Sequence, residues 1–277
     1  MSRIHLLFAG WLLSASLLLP GLSPTLSHAE LRPQPDADLQ AIEAMLRRPE
    51  AELDLGDIKL DIDKRVEPRI DVAAMRRRLD TIVTDVLAML PPAPTRHERF
   101  EALHAYLYRA GAWNGNRPWL RAAEDPACAD IATKLLATHL VTRRGNCVSM
   151  AMLFAIVGQR LGLDVSLATA PHRLCVFYRD DAGVVRVLEP TTGELTIEPP
   201  PPRGAMPASA LRSLTRRESV VLAAQLLLEH LARLPAQAQQ RAALAELLRL
   251  NDQRRVAAQP SAPGSAADQV ARRDRAR

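Results

Sequence analysis

Apolar residues recur at helical spacing through most of the first half of the chain. Leu39, Ile42, Met45 and Leu46 predict a helix over 37–48, and a longer one runs over 71–90. Asp71 is placed as its N-cap and Met75, Leu79, Ile82, Val86 and Leu90 form its stripe. Pro91 and Pro92 end it; a third helix carries Phe100, Leu103 and Leu107 up to Gly111, and 112–126 is loop-like. A helix over 130–140 precedes R-R-G-N-C-V-S-M, which opens another whose positions Cys147, Met150, Phe154, Val157 and Leu161 share one face. Gly162 stops that helix. The period then becomes extended, predicting strands over 164–169, 174–179 and 184–188, the last two joined as a hairpin by Asp180-Asp181-Ala182-Gly183. After the prolines of 199–202, two amphipathic segments, 220–234 and 236–250, meet at Pro235. The fold class expected is α+β: a helical N-terminal region packed on a core made of a helix followed by a small antiparallel sheet, with a C-terminal helical pair.

Composition changes this picture only at the ends. Arg3 and His5 precede an apolar run from Leu6 to Leu22, and Ser27-His28-Ala29 offers small residues for cleavage. That order predicts a secretory signal peptide cut after Ala29, hence export, to the periplasm in a host with an outer membrane. Its loss lowers the formal charge from +5 to +4. No later stretch is long and apolar enough to span a bilayer, so no membrane association is expected after cleavage. The expected layout is signal peptide 1–29, helical region 30–126, core 127–197, proline-rich linker 198–209, helical hairpin 210–255 and a disordered tail 256–277. The hairpin resembles one tetratricopeptide-type unit. Arginines are scattered and matched by acids outside the tail, which argues against nucleic acid as a partner.

Cysteine supplies the candidate chemistry. Cys128, Cys147 and Cys175 all lie beyond the signal peptide, and an odd count in an oxidising compartment leaves one thiol unpaired within the monomer. A Cys128 to Cys175 disulfide with Cys147 reduced fits that count, but sequence does not set the pairing. Cys147 alone would be a buried core residue. Its place at a helix entrance alters that, because free N–H groups and the helix dipole favour a thiolate and an oxyanion there. Gly145 and Asn146 form the entry turn, with Gly145 taken to permit its tight backbone. A nucleophile needs a base and the base an orienting group; His172 and Glu189, at the two ends of the hairpin, are the candidates. If Arg179 pairs with Val184, Leu174 lies opposite Glu189 and His172 is diagonal to it, on an apolar face with Val176, Val185 and Val187 that packs on the Cys147 helix. Trp113 and Trp119 are candidate cleft residues. No metal-ligand spacing appears and no cofactor is implied.

The order of cysteine, then histidine after a helix and a strand, then an acid before proline at the far end of a hairpin, resembles the transglutaminase-like superfamily of papain-related thiol enzymes. Within it, the chain is similar to bacterial proteins with an N-terminal helical domain and a tetratricopeptide-type C-terminal region. The resemblance runs from about Leu39 to Glu194 through L-D-L-G-D-I-K-L-D-I-D-K, Y-L-Y-R-A-G-A-W-N-G-N, R-R-G-N-C-V-S-M and P-H-R. It implies a catalytic triad of Cys147, His172 and Glu189 and a protein or peptide substrate. Two positions depart from the superfamily pattern: glutamate stands where aspartate is usual, and Arg173-Leu174 replaces an aromatic pair. Three functions follow as expectations: hydrolysis or transfer at an amide, an inactive peptide-binding scaffold whose C-terminal helical pair docks a partner protein, and, without support from any wall-binding module, a peptidoglycan amidase.

Overall fold

A computed structural model describes residues 35–170, 173–197 and 211–258. The predicted signal peptide, the proline-rich linker, His172 and the tail beyond Ala258 lie outside these residues. Four helices open the described chain: α1 (Pro35–Arg47), α2 (Leu55–Val66), α3 (Val72–Ala88) and α4 (Arg96–Tyr108). Asp71 caps α3 by accepting the Ala74 amide, and Met75, Leu79, Ile82 and Val86 are the residues it buries. Thr95 and Glu98 close a reciprocal cap at the start of α4.

α2 falls on the L-D-L-G-D-I-K-L-D-I-D-K passage, whose charged positions hide its apolar face from a pattern search. Two of those charges are inside: Lys59 and Asp63 are both fully buried and form an ion pair. The helix expected over 130–140 is two helices, α5 (Ile131–Lys134) and α6 (Leu136–Thr142), because Leu135 between them is extended. The break exposes the first amides of α6, and Asp63 accepts from the Ala137 N–H at 2.9 Å. The loop over 112–126 contains β1 (Leu120–Arg121), which pairs in parallel with β2 (Arg144–Gly145) just ahead of the cysteine helix.

That helix, α7 (Cys147–Arg160), is the centre of the molecule. Ala151, Met152, Leu153, Phe154 and Ala155 are successive residues with no exposure, so it is buried on every side and not only along the face predicted from Cys147. Phe154 meets Phe100 of α4 at 5.6 Å between ring centres, and Phe100 stacks on Tyr178 of the sheet at 4.1 Å. Gly162, at φ +74°, ends the helix as expected.

The sheet is antiparallel, ordered β6-β5-β4-β3-β7, with β3 (Val165–Ala170), β4 (Arg173–Arg179), β5 (Val185–Glu189), β6 (Glu194–Ile197) and β7 (Arg212–Ser213). The first three are the predicted strands; β6 and β7 were not predicted, being short and mostly exposed. A helical pair, α8 (Arg216–Ala232) and α9 (Ala238–Ala258), closes the described chain, turning at Pro235. α9 extends past Val256, where a tail was expected to begin. α8 buries Val220, Ala223, Ala224, Leu226 and Leu227 in the hydrophobic cluster shared with α2 and α7. Among the described residues no helix is long and apolar enough to cross a membrane.

Candidate functional site

Arg143 ends α6 in the left-handed conformation at φ +58°, turning the chain into β2. It, not Gly145, carries the unusual backbone of the entry turn. Gly145 serves by absence of a side chain: a Cβ there would lie 2.3 Å from the Ser149 hydroxyl and 2.9 Å from the His139 ring.

Asn146, with no exposed surface, caps α7. Its Oδ1 accepts from the amides of Val148 at 2.9 Å and Ser149 at 3.3 Å, and its own N–H donates to Ser149 Oγ at 3.1 Å. Its Nδ2 donates to Thr133 Oγ1 at 3.0 Å, while that hydroxyl donates to Asp125 Oδ2 at 2.5 Å. Ser149 Oγ donates to the Thr133 carbonyl at 2.7 Å. A buried chain of hydrogen bonds therefore joins Asp125, Thr133, Asn146 and Ser149 and fixes the start of α7. The Cys147 amide has no acceptor among the described residues, so the first helical N–H is the one left for an incoming oxyanion.

The Cys147 thiol is half-buried. Burial first, and then the Cys128 thiol, push the Cys147 pKa up; Lys134 and the Val148 amide pull the other way. The expected thiolate is thus not the resting form. Sequence reasoning missed the influence of Cys128 on Cys147 because it acts across a loop with no spacing rule. Cys175 is buried on the sheet, and all three cysteines are free thiols, so the Cys128 to Cys175 bridge is not formed.

The hairpin register differs from the one expected. Arg179 pairs with Val185 and Val176 with Leu188, which sets Glu189 beside Cys175 rather than Leu174. Asp180 donates its N–H to the Val184 carbonyl and accepts the Gly183 amide, and Gly183 takes φ +78°, giving an odd loop. Asp180 Oδ1 also accepts from Ala182 and Val184 at 3.0 and 2.9 Å. Leu174, Val176, Tyr178 and Leu188 belong to the main core with α7, whereas Cys175, Phe177 and Val187 cluster with Leu211 on the other face. Glu189 shares that other face. Its carboxylate accepts from Thr191 Oγ1 at 2.8 Å and from the Cys175 thiol at 3.9 Å. The register that put His172 diagonal to Glu189 is therefore not the one adopted, and His172 itself lies outside the described residues.

The tryptophans part company. Trp113 is 41% exposed, whereas Trp119 is 4% exposed, edge-on to His139 at 5.1 Å and beneath the Arg143 guanidinium at 5.4 Å. Trp119 borders a cavity of about 240 Å³ with Arg78, Asp85, Tyr106 and Arg143, and Cys147 is not among the residues lining it.

With the geometry in place, comparison with known proteins identifies one domain. Residues 73–199 match the transglutaminase-like superfamily. No curated protein and no solved structure matches the chain. The matched segment begins in α3 and reaches past β6, and so contains helix α7, its cap and the hairpin. A papain-like thiol enzyme is consistent with such a domain.

Proposed function

We propose that the protein is an exported transglutaminase-like thiol enzyme that opens an amide bond through Cys147. The observation that carries this is the entrance of α7: Asn146 occupies the Val148 and Ser149 amides, the Cys147 amide has no acceptor among the described residues, and the thiol belongs to the same residue. Cys147 Sγ attacks the carbonyl carbon, and the oxygen that becomes negative is met by the Cys147 N–H. Because burial and Cys128 hold the thiol protonated, a base has to remove the proton as attack occurs; His172 is assigned that role and returns the proton to the leaving amine. The resulting thioester is released by water or by a second amine. Glu189 enters this scheme through the family resemblance alone, its predicted placement beside His172 having lost the register that supported it.

A second reading, a catalytically silent peptide-binding or scaffold protein, is favoured by the partial burial of the Cys147 thiol, which pushes its pKa up. The two separate on labelling with an amide-mimicking electrophile near neutral pH. The enzyme reading expects Cys147 to react at least tenfold faster than free cysteine and His172→Ala to remove most of that advantage. Reaction no faster than free cysteine, unchanged in His172→Ala, leaves the scaffold.

A further inference from the structure

Arg78, Thr81, Ile82 and Asp85 follow one another at helical spacing and set one face of α3 along the cavity of about 240 Å³ beside Trp119. Tyr106 of α4, Leu140 of α6 and Arg143 of the turn after it complete the lining. Ile82, Leu140 and the Trp119 ring are apolar walls, while two guanidiniums against one carboxylate leave positive charge in excess. The chain around the cavity adds to it. Arg109, Arg117 and Arg121 lie in a stretch, 109–121, without an acid, and the pairing of β1 with β2 brings that stretch to Arg144.

The two guanidiniums are not paired with the carboxylate. Asp85 Oδ2 accepts the Tyr106 hydroxyl at 2.9 Å, and the other oxygen accepts from no described residue. Arg143 Nη1 donates to the carbonyls of Asn114, at 2.6 Å, and of Arg117, and the guanidinium lies 5.4 Å over the Trp119 ring. These contacts fix the group without balancing its charge, and Nη2 and Nε have no acceptor among the described residues. The exposed Arg78 side chain makes no hydrogen bond or ion pair with them. Trp119 is buried, and its Nε1–H likewise lacks an acceptor among the described residues.

We propose that this cavity binds the carboxylate of an apolar α-amino acid, either free or at the C-terminus of a peptide. The carboxylate sits between Arg78 and Arg143, in charge-assisted hydrogen bonds of the kind an arginine fork makes. The apolar side chain packs on Trp119, Ile82 and Leu140, and the Asp85 oxygen that Tyr106 does not use accepts from the ligand's α-nitrogen. A phosphate dianion is the poorer fit, since Asp85 repels it and the apolar walls go unused. Cys147 does not line the cavity, so the site stands independently of the proposed function.

The indole N–H peak of Trp119, assigned with Trp119→Phe, reports on the cavity in proton-nitrogen NMR spectra of the full chain. N-acetyl-L-leucine should shift it saturably, and N-acetyl-L-leucinamide, which lacks the charge, should bind about tenfold more weakly. Arg78→Ala, folded by circular dichroism, should weaken binding about fivefold, and Arg143→Lys, which keeps the charge but not the fork, about tenfold. Leucine binding more tightly than its N-acetyl form upholds the site with a free amino acid as ligand; the reverse upholds it with a peptide end. Cys147→Ala should bind as the wild type does. The proposal is overturned by an amide that binds as well as the acid, by unchanged affinity in both arginine variants, or by acetate or inorganic phosphate binding as tightly as N-acetyl-L-leucine. An indole peak that does not move overturns it too, as does loss of binding in Cys147→Ala, which places the ligand at the thiol.

Discussion

The entrance of α7 and the β4-β5 hairpin both carry residues singled out from sequence, yet they are held in different ways. The entrance is fixed by buried polar groups, each with a named partner: Asp63 on the α6 amides, Thr133 between Asp125 and Asn146, and Ser149 under Gly145. The hairpin is fixed by a turn and by apolar side chains that fill one face of the sheet. A polar network fails sharply when one member is removed, because the group left behind is buried without a partner, whereas a hairpin loses a fraction of its packing.

The largest expected effect is therefore at the entrance's foundation. Lys59→Met leaves Asp63 buried without its cation and should cost about 3–5 kcal/mol in chemical denaturation. Burial already holds the Asp63 carboxyl above its ordinary pKa of 3.8, with Lys59 and the α6 amides opposing the shift. A carboxyl raised in the fold binds more protons folded than unfolded, so its contribution to stability falls as pH climbs from 3.8 through the folded value. Removing Lys59 raises that value further. The deficit of the variant should then be widest at neutral pH and narrow on acidification; a deficit that grows toward pH 4 would contradict the assignment.

The same contrast explains what was legible beforehand. Caps, stop signals and the helical stripe are local, so Asp71, the start of α7 and Gly162 were read correctly from a few neighbouring residues. α2 was hidden because burying Lys59 and Asp63 needs each other and α6, a dependence no apolar pattern contains. Register is also non-local, and the wrong parity moved Glu189 to the opposite face at one stroke. Its cue was present: Gly183 ending D-D-A-G suits a left-handed residue after a turn, which belongs to an odd loop. The influence of Cys128 on Cys147 had no cue of comparable strength, since eighteen residues of loop and helix lie between them.

Two glycines test the comparison at the next scale. Gly145→Ala drives a Cβ to within 2.3 Å of Ser149 Oγ, inside the network, and should cost about 1–3 kcal/mol, with slower or altered labelling of Cys147. Gly183→Ala meets no atom within 4 Å, and its cost is backbone conformation alone, about 1 kcal/mol. Asn tolerates the left-handed region, so Gly183→Asn should recover much of the loss, whereas Gly145→Asn should be worse than Gly145→Ala. Equal responses of the two sites to Ala and Asn in thermal melts would mean that the distinction between steric and conformational glycine does not hold here.

The smallest effect lies at the thiol itself and leaves stability nearly untouched. Lys134, paired at 2.5 Å with Glu229 of α8, is the cation that lowers the Cys147 pKa, and Cys128 is the neighbour that raises it. Lys134→Met should slow alkylation of Cys147 at pH 7, and Cys128→Ala should accelerate it, each by a few-fold, since every unit of pKa changes the thiolate fraction tenfold below the pKa. In both variants and in the wild type the rate should climb with pH through the neutral range, because burial keeps the thiol protonated there. Rates that converge at strongly alkaline pH place the effect on thiolate population. Rates that stay apart show that the side chains act by blocking access to the sulfur, and the entrance would then be governed by shape rather than charge.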